Sequence, residues 1–224
     1  MTNMPYPNLK EEKSLFRKKF KHIVGLDEAG RGPLAGPVVA GAIMIKTKDF
    51  SLIPVNDSKK LSSKKREEFF KVLTNHPGLE WGIGIVSEKI IDKINIFEAT
   101  KLAMKKALVG LEKKIKAGSA RKSYKQESLG AIDFLILDGN FRLDKVNISQ
   151  KSIIKADEKV FSCAAASIIA KVTRDRIMEK YHKKYPVYRF NEHKGYPTKL
   201  HFRLIKKHGP CPIHRRSFRL GLAK

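Results

Sequence analysis

Apolar and polar residues follow one another along the chain in blocks that predict alternating strands and helices. Short apolar runs at 22–27, 38–45 and 79–86 predict strands, as do the runs at 132–137 and 148–154. The first three runs are rich in Val, Ile and Gly, and the fourth ends in Asp-Gly. Strands interrupted by helices indicate a mixed α/β fold whose last third is more helical.

Three segments between and after these strands have helical character. Ser62 is the predicted N-cap of a charged helix that ends near Thr74. Apolar residues over 96–116 follow helical spacing. The longest predicted helix covers 157–183, and its small residues permit close packing against a neighbour: Ala164, Ala165, Ala166 and Ala170.

Composition divides the chain into three predicted regions. Residues 1–20 form a basic and loosely ordered N-terminal extension, with a helix over 11–20. Residues 21–185 contain the predicted sheet and the long helices, and residues 186–224 form a basic C-terminal region. The polar, basic segment 117–130 is a predicted loop.

The charge balance favours a polyanionic partner. The 224 residues include 47 Lys and Arg against 22 Asp and Glu, a net charge of +25. Residues 193–224 contain nine Lys or Arg and no acidic residue. Lys and Arg that bind phosphates release condensed counterions, although a solvated basic surface would explain the same composition. With 42% hydrophobic residues, the chain can build a core, which excludes disorder throughout.

Neither the cysteines nor the apolar runs indicate secretion or membrane insertion. Cys163 and Cys211 do not make a disulfide framework. Residues 1–13 lack the apolar segment of a secretory signal. The longest apolar run, 38–45, is far shorter than the ~20 residues of a membrane span. We therefore expect a cytoplasmic protein.

Two predicted strands end in carboxylates. Asp27 follows the first strand and Asp138 follows the fourth. If these strands are parallel neighbours, the two side chains converge at one sheet edge, where ligand sites form. Asp157, at the predicted start of the longest helix, is favoured there by the helix dipole. Glu28 reaches the same site only if the strand ends at Asp27, which the Gly-rich turn after it favours.

Four carboxylates without a His/Cys cluster suit hard divalent cations such as Mg²⁺ or Mn²⁺. Strand-end turns and a helix cap explain the same acids equally well on pattern alone. The adjoining Gly30-Arg31-Gly32 turn permits close approach of the backbone to a ligand. Its spacing to Gly36 differs from a dinucleotide fingerprint, and a tight turn between strands is the alternative interpretation.

At these residues the sequence resembles bacterial ribonuclease HII, a type 2 ribonuclease H. Blocks that span residues 22–218 come in the order of that family: Gly25–Val38, Asp57–Ser62, Leu137–Asn140, Lys155–Asp157 with Ser162–Asp175, and His193–His201 with Gly209–Phe218.

The resemblance implies a ribonuclease H-like fold, in which helices flank a mixed sheet and a smaller helical region follows. It implies a metal centre of four carboxylates, which would bind Mn²⁺ or Mg²⁺ and carry the catalysis: Asp27, Glu28, Asp138 and Asp157.

The implied substrates are RNA/DNA hybrids and duplex DNA that contains a ribonucleotide. The enzyme would cut the RNA strand of hybrids, and would cut on the 5′ side of a single embedded ribonucleotide to leave 3′-hydroxyl and 5′-phosphate ends. By the same resemblance, the ribonucleotide is read by the backbone of Gly30, Arg31 and Gly32 and by Tyr196. Lys59 and Lys60 are candidate phosphate contacts beside the site, and a solvated face at the helix entry explains Lys60 equally well. A monomer is expected.

Three features depart from the family pattern. Residues 1–20 lie outside its core, the basic segment 117–130 is longer than usual, and Pro197 stands where glycine is common. Four histidines and a cysteine would suggest zinc, but the sequence has no paired C-x-x-C motif and we do not expect a zinc site: His193, His201, His208, His214 and Cys211. Two other classes remain open, a nucleic-acid-binding module without catalysis and a related nuclease such as a junction resolvase or a type 3 ribonuclease H.

Overall fold

The computed structural model describes residues 6–47, 50–55, 58, 61–118 and 132–221. The strands in these ranges are β1 (Ile23–Ala29), β2 (Val38–Ile45), β3 (Leu79–Val86), β4 (Phe134–Asp138) and β5 (Ser149–Ile153). The helices are α1 (Lys10–Arg17), α2 (Ser63–Asn75), α3 (Glu88–Gly118), α4 (Phe161–Lys184), α5 (Phe190–His193) and α6 (Lys199–His208). No helix in the described ranges has the apolar length that a membrane crossing requires.

The strands form one mixed sheet in the order β3-β2-β1-β4-β5. β1 pairs antiparallel with β2 and parallel with β4, in a register that places Leu26 beside Leu137. A parallel pair needs a long crossover, and α3 lies within the chain segment that joins β1 to β4. The carboxyl ends of β1 and β4 therefore meet at one sheet edge, as the sequence predicts.

Helices cover both faces of the sheet. Successive side chains of β2 point to opposite faces, so that Ala42 and Met44 belong to the core beneath α3 while Ile43 and Ile45 pack against α4. All eight residues of β2 are buried. Burial on both sides explains why the strand is a continuous apolar run in the sequence rather than an alternating one.

The first helix packs more firmly than the sequence predicts. Leu15 is buried in a small core with Ile23 and Val160. The buried carboxylate of Glu12 accepts a hydrogen bond from the backbone N–H of Ser162 at 2.9 Å, in the first turn of α4. The expected loose order is therefore wrong for residues 6–20. Glu12 of α1 accepts from one of the backbone N–H groups that have no partner within α4, and this contact holds α1 against the rest of the fold. The division of the chain into three regions stays a prediction.

Two helix boundaries also differ from the predicted ones. α3 begins at Glu88, and Asn95 interrupts it with φ 65°. The Asn95 side chain accepts from the N–H groups of Phe97 and Glu98, so the expected helix does start at Ile96, as the second part of a kinked one. α4 begins at Phe161 rather than at 157, after a 3₁₀ turn over Ala156–Glu158.

The close contact between α4 and the sheet depends on a missing side chain in β2. A Cβ atom built on Gly41 would lie 2.4 Å from the backbone oxygen of Ala166. The buried alanines of α4 allow this approach, as their spacing predicts. The helix that borders the sheet edge is thus held at a fixed depth by backbone contact, which a side chain at position 41 would prevent.

We expect Gly41→Ala to destabilise the fold by about 1–3 kcal/mol, because the backbone of α4 must move away from β2. Gly110→Ala is the matched control. It lies within α3, its Cβ would come no nearer than 3.4 Å to Ile83, and alanine favours a helix interior by up to about 1 kcal/mol. Denaturant unfolding of both variants tests this, and equal stabilities would contradict the close contact.

Candidate active site

Three aspartates converge at the carboxyl edge of the sheet. Asp27 lies in β1, Asp138 is the last residue of β4, and Asp157 lies in the 3₁₀ turn before α4. One carboxylate oxygen from each lies within 4.8 Å of the others. The parallel register explains the first pair, since the residues after Leu26 and Leu137 are Asp27 and Asp138.

Asp138 also positions the third aspartate. Its Oδ1 accepts a hydrogen bond from the backbone N–H of Ala156 at 2.7 Å. Lys155, just before this residue, has φ 57°, so the chain turns sharply beneath the end of β4. The expected helix start at Asp157 was wrong, but the turn delivers the Asp157 carboxylate to the same point.

Burial and mutual repulsion raise the free energy of the folded protein when the aspartates are ionised. Asp27 is 4% exposed. Its burial raises the pKa of this carboxyl well above the ordinary value, and the neighbouring carboxylates of Glu28 and Asp138 raise it further. Carboxylate oxygens at this spacing fit a hard divalent cation such as Mg²⁺ or Mn²⁺, whose charge would offset both costs.

Glu28 lies next to this cluster rather than within it. β1 continues to Ala29, so the expectation that the strand ends at Asp27 was wrong. The Oε1 atom of Glu28 lies 3.3 Å from Nη1 of Arg31, and the side chain of Glu28 lines the same pocket as Asp27. The fourth expected carboxylate is therefore beside the other three, although among the residues that the structure describes the converging oxygens come from the aspartates alone.

The pocket at this edge, about 220 Å³ in volume, brings together acids, a glycine-rich turn and an aromatic ring. Most residues singled out in the sequence line it: Asp27, Glu28, Gly30, Arg31, Gly32, Asp138 and Tyr196. Tyr196 is 37% exposed, and its ring centre lies 5.6 Å from Nζ of Lys171 and 5.7 Å from the guanidinium carbon of Arg174. Lys59 and Lys60 lie outside the described residues.

The two glycines of the turn have different surroundings. Gly30 has φ +100°, and a Cβ there would lie 2.2 Å from Nε of Arg174. A Cβ at Gly32 would meet nothing within 4 Å. The fold therefore requires glycine at position 30, whereas the absence of a side chain at Gly32 leaves open space beside the pocket.

Sequence reasoning missed three further polar lining residues: Ser58, Ser167 and Lys171. The hydroxyl oxygens of Ser58 and Ser167 lie 2.8 Å apart, and Nζ of Lys171 donates to Asp175 at 2.7 Å. Burial lowers the pKa of Lys171. Ser167 and Lys171 are four residues apart on one helical face, a spacing that could have predicted a shared orientation toward the sheet edge.

The C-terminal histidines form a hydrogen-bonded group behind Tyr196. Nε2 of His201 lies 3.0 Å from Nε2 of His214, whose Nδ1 lies 3.2 Å from Sγ of Cys211. Nδ1 of His201 lies 3.0 Å from the carbonyl oxygen of Tyr196. Burial lowers the pKa of His201 and of His214 to about 4, so both rings are neutral at pH 7 and one donates to the other. This network supports the Tyr196 segment.

Comparison with solved structures identifies the class of protein first. The fold is similar to that of ribonuclease H2 from Pyrococcus horikoshii, with a TM-score of 0.62, 30% identity, and coverage of 89% of this chain and 94% of that one. It is also similar to Bst-RNase HIII, with a TM-score of 0.61 and 18% identity over 89% of this chain and 67% of that one. The second likeness concerns the fold alone. The first, together with the acidic edge, places the protein among nucleases with a ribonuclease H-like fold.

Sequence comparison then gives the family. The family model described as Ribonuclease HII matches residues 24–220. Ribonuclease HII of Acetivibrio thermocellus is 51% identical over 207 residues, which are 92% of this chain and 73% of that protein. Ribonuclease HII of Endomicrobium trichonymphae is 44% identical over 92% of this chain and 90% of that protein. The chain belongs to the ribonuclease HII family.

Membership decides between the classes that the sequence left open. The protein is an endoribonuclease that hydrolyses RNA in RNA/DNA hybrids. A binding module without catalysis is excluded, and the resemblance to ribonuclease HII is confirmed together with the mixed α/β fold.

We expect Asp27→Asn to raise the Tm of the metal-free protein. Because the pKa of Asp27 is raised in the folded state, the folded protein binds a proton more readily than the unfolded one, and stability falls as pH rises through that interval. The gain in Tm should therefore be absent at acidic pH, where the carboxyl is protonated in both states, and should grow toward pH 8. Thermal melts in chelator across this pH range measure it.

Asp144→Asn is the control for that experiment. The exposed Asp144 carboxylate accepts from Lys101 at 2.7 Å, and this hydrogen bond lowers its pKa. Its replacement should bring no gain in Tm at any pH. A gain of the same size in both variants would contradict the repulsion argued for Asp27.

Proposed function

We propose that this protein, besides hydrolysing RNA in hybrids, incises duplex DNA on the 5′ side of a single embedded ribonucleotide. The reaction would need a divalent ion, Mn²⁺ or Mg²⁺, and would leave a 3′-hydroxyl and a 5′-phosphate. The observation that carries the proposal is one pocket in which carboxylates adjoin the Gly30–Gly32 backbone and Tyr196.

The aspartates would hold the ion, with Glu28 beside them. Oxygen-only donors support a hard cation, and Bst-RNase HIII, which has a similar fold, was solved in complex with Mn²⁺. A bound divalent ion supplies activation of water and stabilisation of the departing oxygen. Hydrolysis adds the water oxygen to phosphorus and breaks its bond to the 3′ oxygen, which takes up a proton. The carboxylates must be ionised to bind metal, so cleavage should weaken as pH falls.

Discrimination between RNA and DNA must use the 2′-hydroxyl, since it is the group that separates the two sugars at a given site. Backbone N–H and C=O groups of the Gly30–Gly32 turn can approach this hydroxyl closely because Gly32 has no side chain. Tyr196 adds a ring that can pack against a sugar and a hydroxyl that can form a hydrogen bond.

The duplex would lie along the basic C-terminal region. α6 exposes four cationic residues on its outer face: Lys199, Arg203, Lys206 and Lys207. Such residues bind phosphates without reading sequence. We also propose that the protein acts as a monomer.

The first test uses end-labelled duplex DNA with one ribonucleotide, an all-DNA duplex and an RNA/DNA hybrid. We expect a nick 5′ to the ribonucleotide with Mn²⁺ or Mg²⁺, no nick in chelator and no nick in the all-DNA duplex. Asp27→Asn should bind the duplex and fail to cut it, because the metal site has lost a charge. Cleavage of the hybrid without the single-ribonucleotide nick would contradict the proposal and leave hybrid hydrolysis as the activity.

Gly32→Ala tests the role of the turn. Its methyl group meets no protein atom, so the Tm should stay unchanged. The methyl would occupy the approach to the pocket, and displacement of the sugar by about 1 Å should lower kcat/KM on the single-ribonucleotide duplex by about 100-fold. Gly110→Ala, placed away from the pocket, is the control. Unaltered cleavage by Gly32→Ala would contradict backbone reading at this turn.

A further inference from the structure

Two guanidinium groups are completely buried behind the Gly30–Gly32 turn. Arg174 extends from α4 and Arg215 from the C-terminal segment, and both are 0% exposed. Burying a charged side chain has a large desolvation cost unless hydrogen bonds compensate it. That cost is visible in the pKa of Arg215, which burial lowers to about 9. The burial of two guanidinium groups at one place therefore needs a structural explanation.

Their hydrogen bonds converge on the backbone of the turn. Arg174 donates to the carbonyl oxygens of Pro37, Ala35 and Lys194, each at 3.0 Å. Arg215 donates to the carbonyl oxygens of Gly36 at 3.0 Å, Arg31 at 3.0 Å and Gly30 at 2.6 Å. Five of these six acceptors belong to residues 30–37. The sixth, Lys194, precedes Tyr196 by two residues.

The turn needs such donors because of its own sequence. Pro33 and Pro37 have no N–H, and the local backbone contacts of the segment lead to other parts of the chain: Leu34 N–H donates to Gly195 at 2.7 Å and Gly36 N–H to Ile213 at 2.9 Å. Buried carbonyl groups must be satisfied, and a guanidinium with five donors in a planar fork can satisfy several at once. The conformation of residues 30–37 is thus set from outside the segment.

The bonds from Arg215 also orient the peptide groups that face the pocket. In a trans peptide the C=O and the following N–H point in opposite directions. Because the carbonyls of Gly30 and Arg31 point toward Arg215, the N–H groups of Arg31 and Gly32 point away from it. Arg31 and Gly32 line the pocket. Arg215 therefore orients two successive backbone donors.

Arg174 fixes the spacing between the turn and Tyr196. It bonds to the turn at Ala35 and Pro37 and to the Tyr196 segment at Lys194, and it packs so closely on Gly30 that no Cβ fits there. These are the two elements that would contact the ribonucleotide under the proposed function. A guanidinium that bridges them sets the width of the gap.

We propose that Arg174 and Arg215 are positioning residues for ribonucleotide selection, which hold the Gly30–Gly32 backbone and Tyr196 at the separation that the 2′-hydroxyl requires. The inference rests on the proposed reading of the ribonucleotide by these elements. It assigns the arginines no contact with substrate or metal. Their effect should appear in turnover of ribose-containing strands rather than in binding of duplex DNA.

The test compares Arg215→Lys and Arg174→Lys with the wild type. Lysine keeps the charge but loses the planar fork, so it cannot hold several carbonyls in fixed directions. Arg176→Lys is the matched control on the same helix, since Arg176 is exposed and forms a two-point contact with Glu67 at 3.1 and 2.6 Å. Each protein is assayed well below its Tm on the hybrid, the single-ribonucleotide duplex and the all-DNA duplex.

For both buried positions we expect kcat/KM on the two ribose-containing substrates to fall by about 100-fold, mainly through kcat. The Kd for all-DNA duplex and the rise in Tm on adding Mn²⁺ should stay within about twofold of wild type, as they should in Arg176→Lys. If one variant fails to fold, the other still tests the proposal, because each arginine holds a separate part of the turn.

The two proposals fail in different ways. Wild-type protein that cuts the hybrid but not the single-ribonucleotide duplex would overturn the proposed function, and the hybrid arm would still test the arginines. Buried-arginine variants with unchanged kcat on the hybrid would overturn the positioning role. So would a loss of all-DNA binding in step with the loss of cleavage, since a merely structural role affects both.

Discussion

The parallel pairing of β1 with β4 is the contact on which the site depends. Its register places Leu26 beside Leu137, and the next residue on each strand is an aspartate. A shift of one residue would turn Asp27 to the other face of the sheet and separate the two carboxylates. The register is secured by the apolar side chains of both strands, which are buried on both faces between α3 and α4. The chemistry at the sheet edge is therefore positioned by core packing several residues away.

Features that arise from local patterns could be predicted from the sequence. The β2 and β3 strands match their apolar runs, and Ser62 caps α2 by accepting from the N–H of Lys65. The convergence of Asp27 with Asp138 followed from two strand ends and one rule about parallel neighbours. These inferences need only neighbouring residues or one topological step.

Features that depend on distant partners could not be predicted in this way. Glu12 is buried because it binds Ser162, 150 residues further along the chain, and no local pattern marks that pairing. Lys171 and Ser167 join the pocket because of the depth and rotation of α4 on the sheet. Arg174 and Arg215 look like ordinary basic residues in a chain of net charge +25, and only the structure reveals that both are buried on backbone carbonyls.

The buried guanidinium groups of Arg174 and Arg215 donate to backbone carbonyls rather than to the aspartates, and this arrangement has a chemical consequence. A guanidinium paired with the aspartates would neutralise them and lower their affinity for a cation. The groups that most shift the pKa of Asp27 are instead other acids and Ser167. Arg174 and Arg215 lie one layer behind, where the carbonyls of residues 30–37 and Lys194 occupy their donors. The glycine-rich turn thus separates the buried cations from the acids, because its carbonyls face the arginines and its pocket side faces the carboxylates. Because the buried arginines donate to the turn, the aspartates can offer their oxygens to a divalent ion, and a turn held from behind can present a rigid backbone to a sugar.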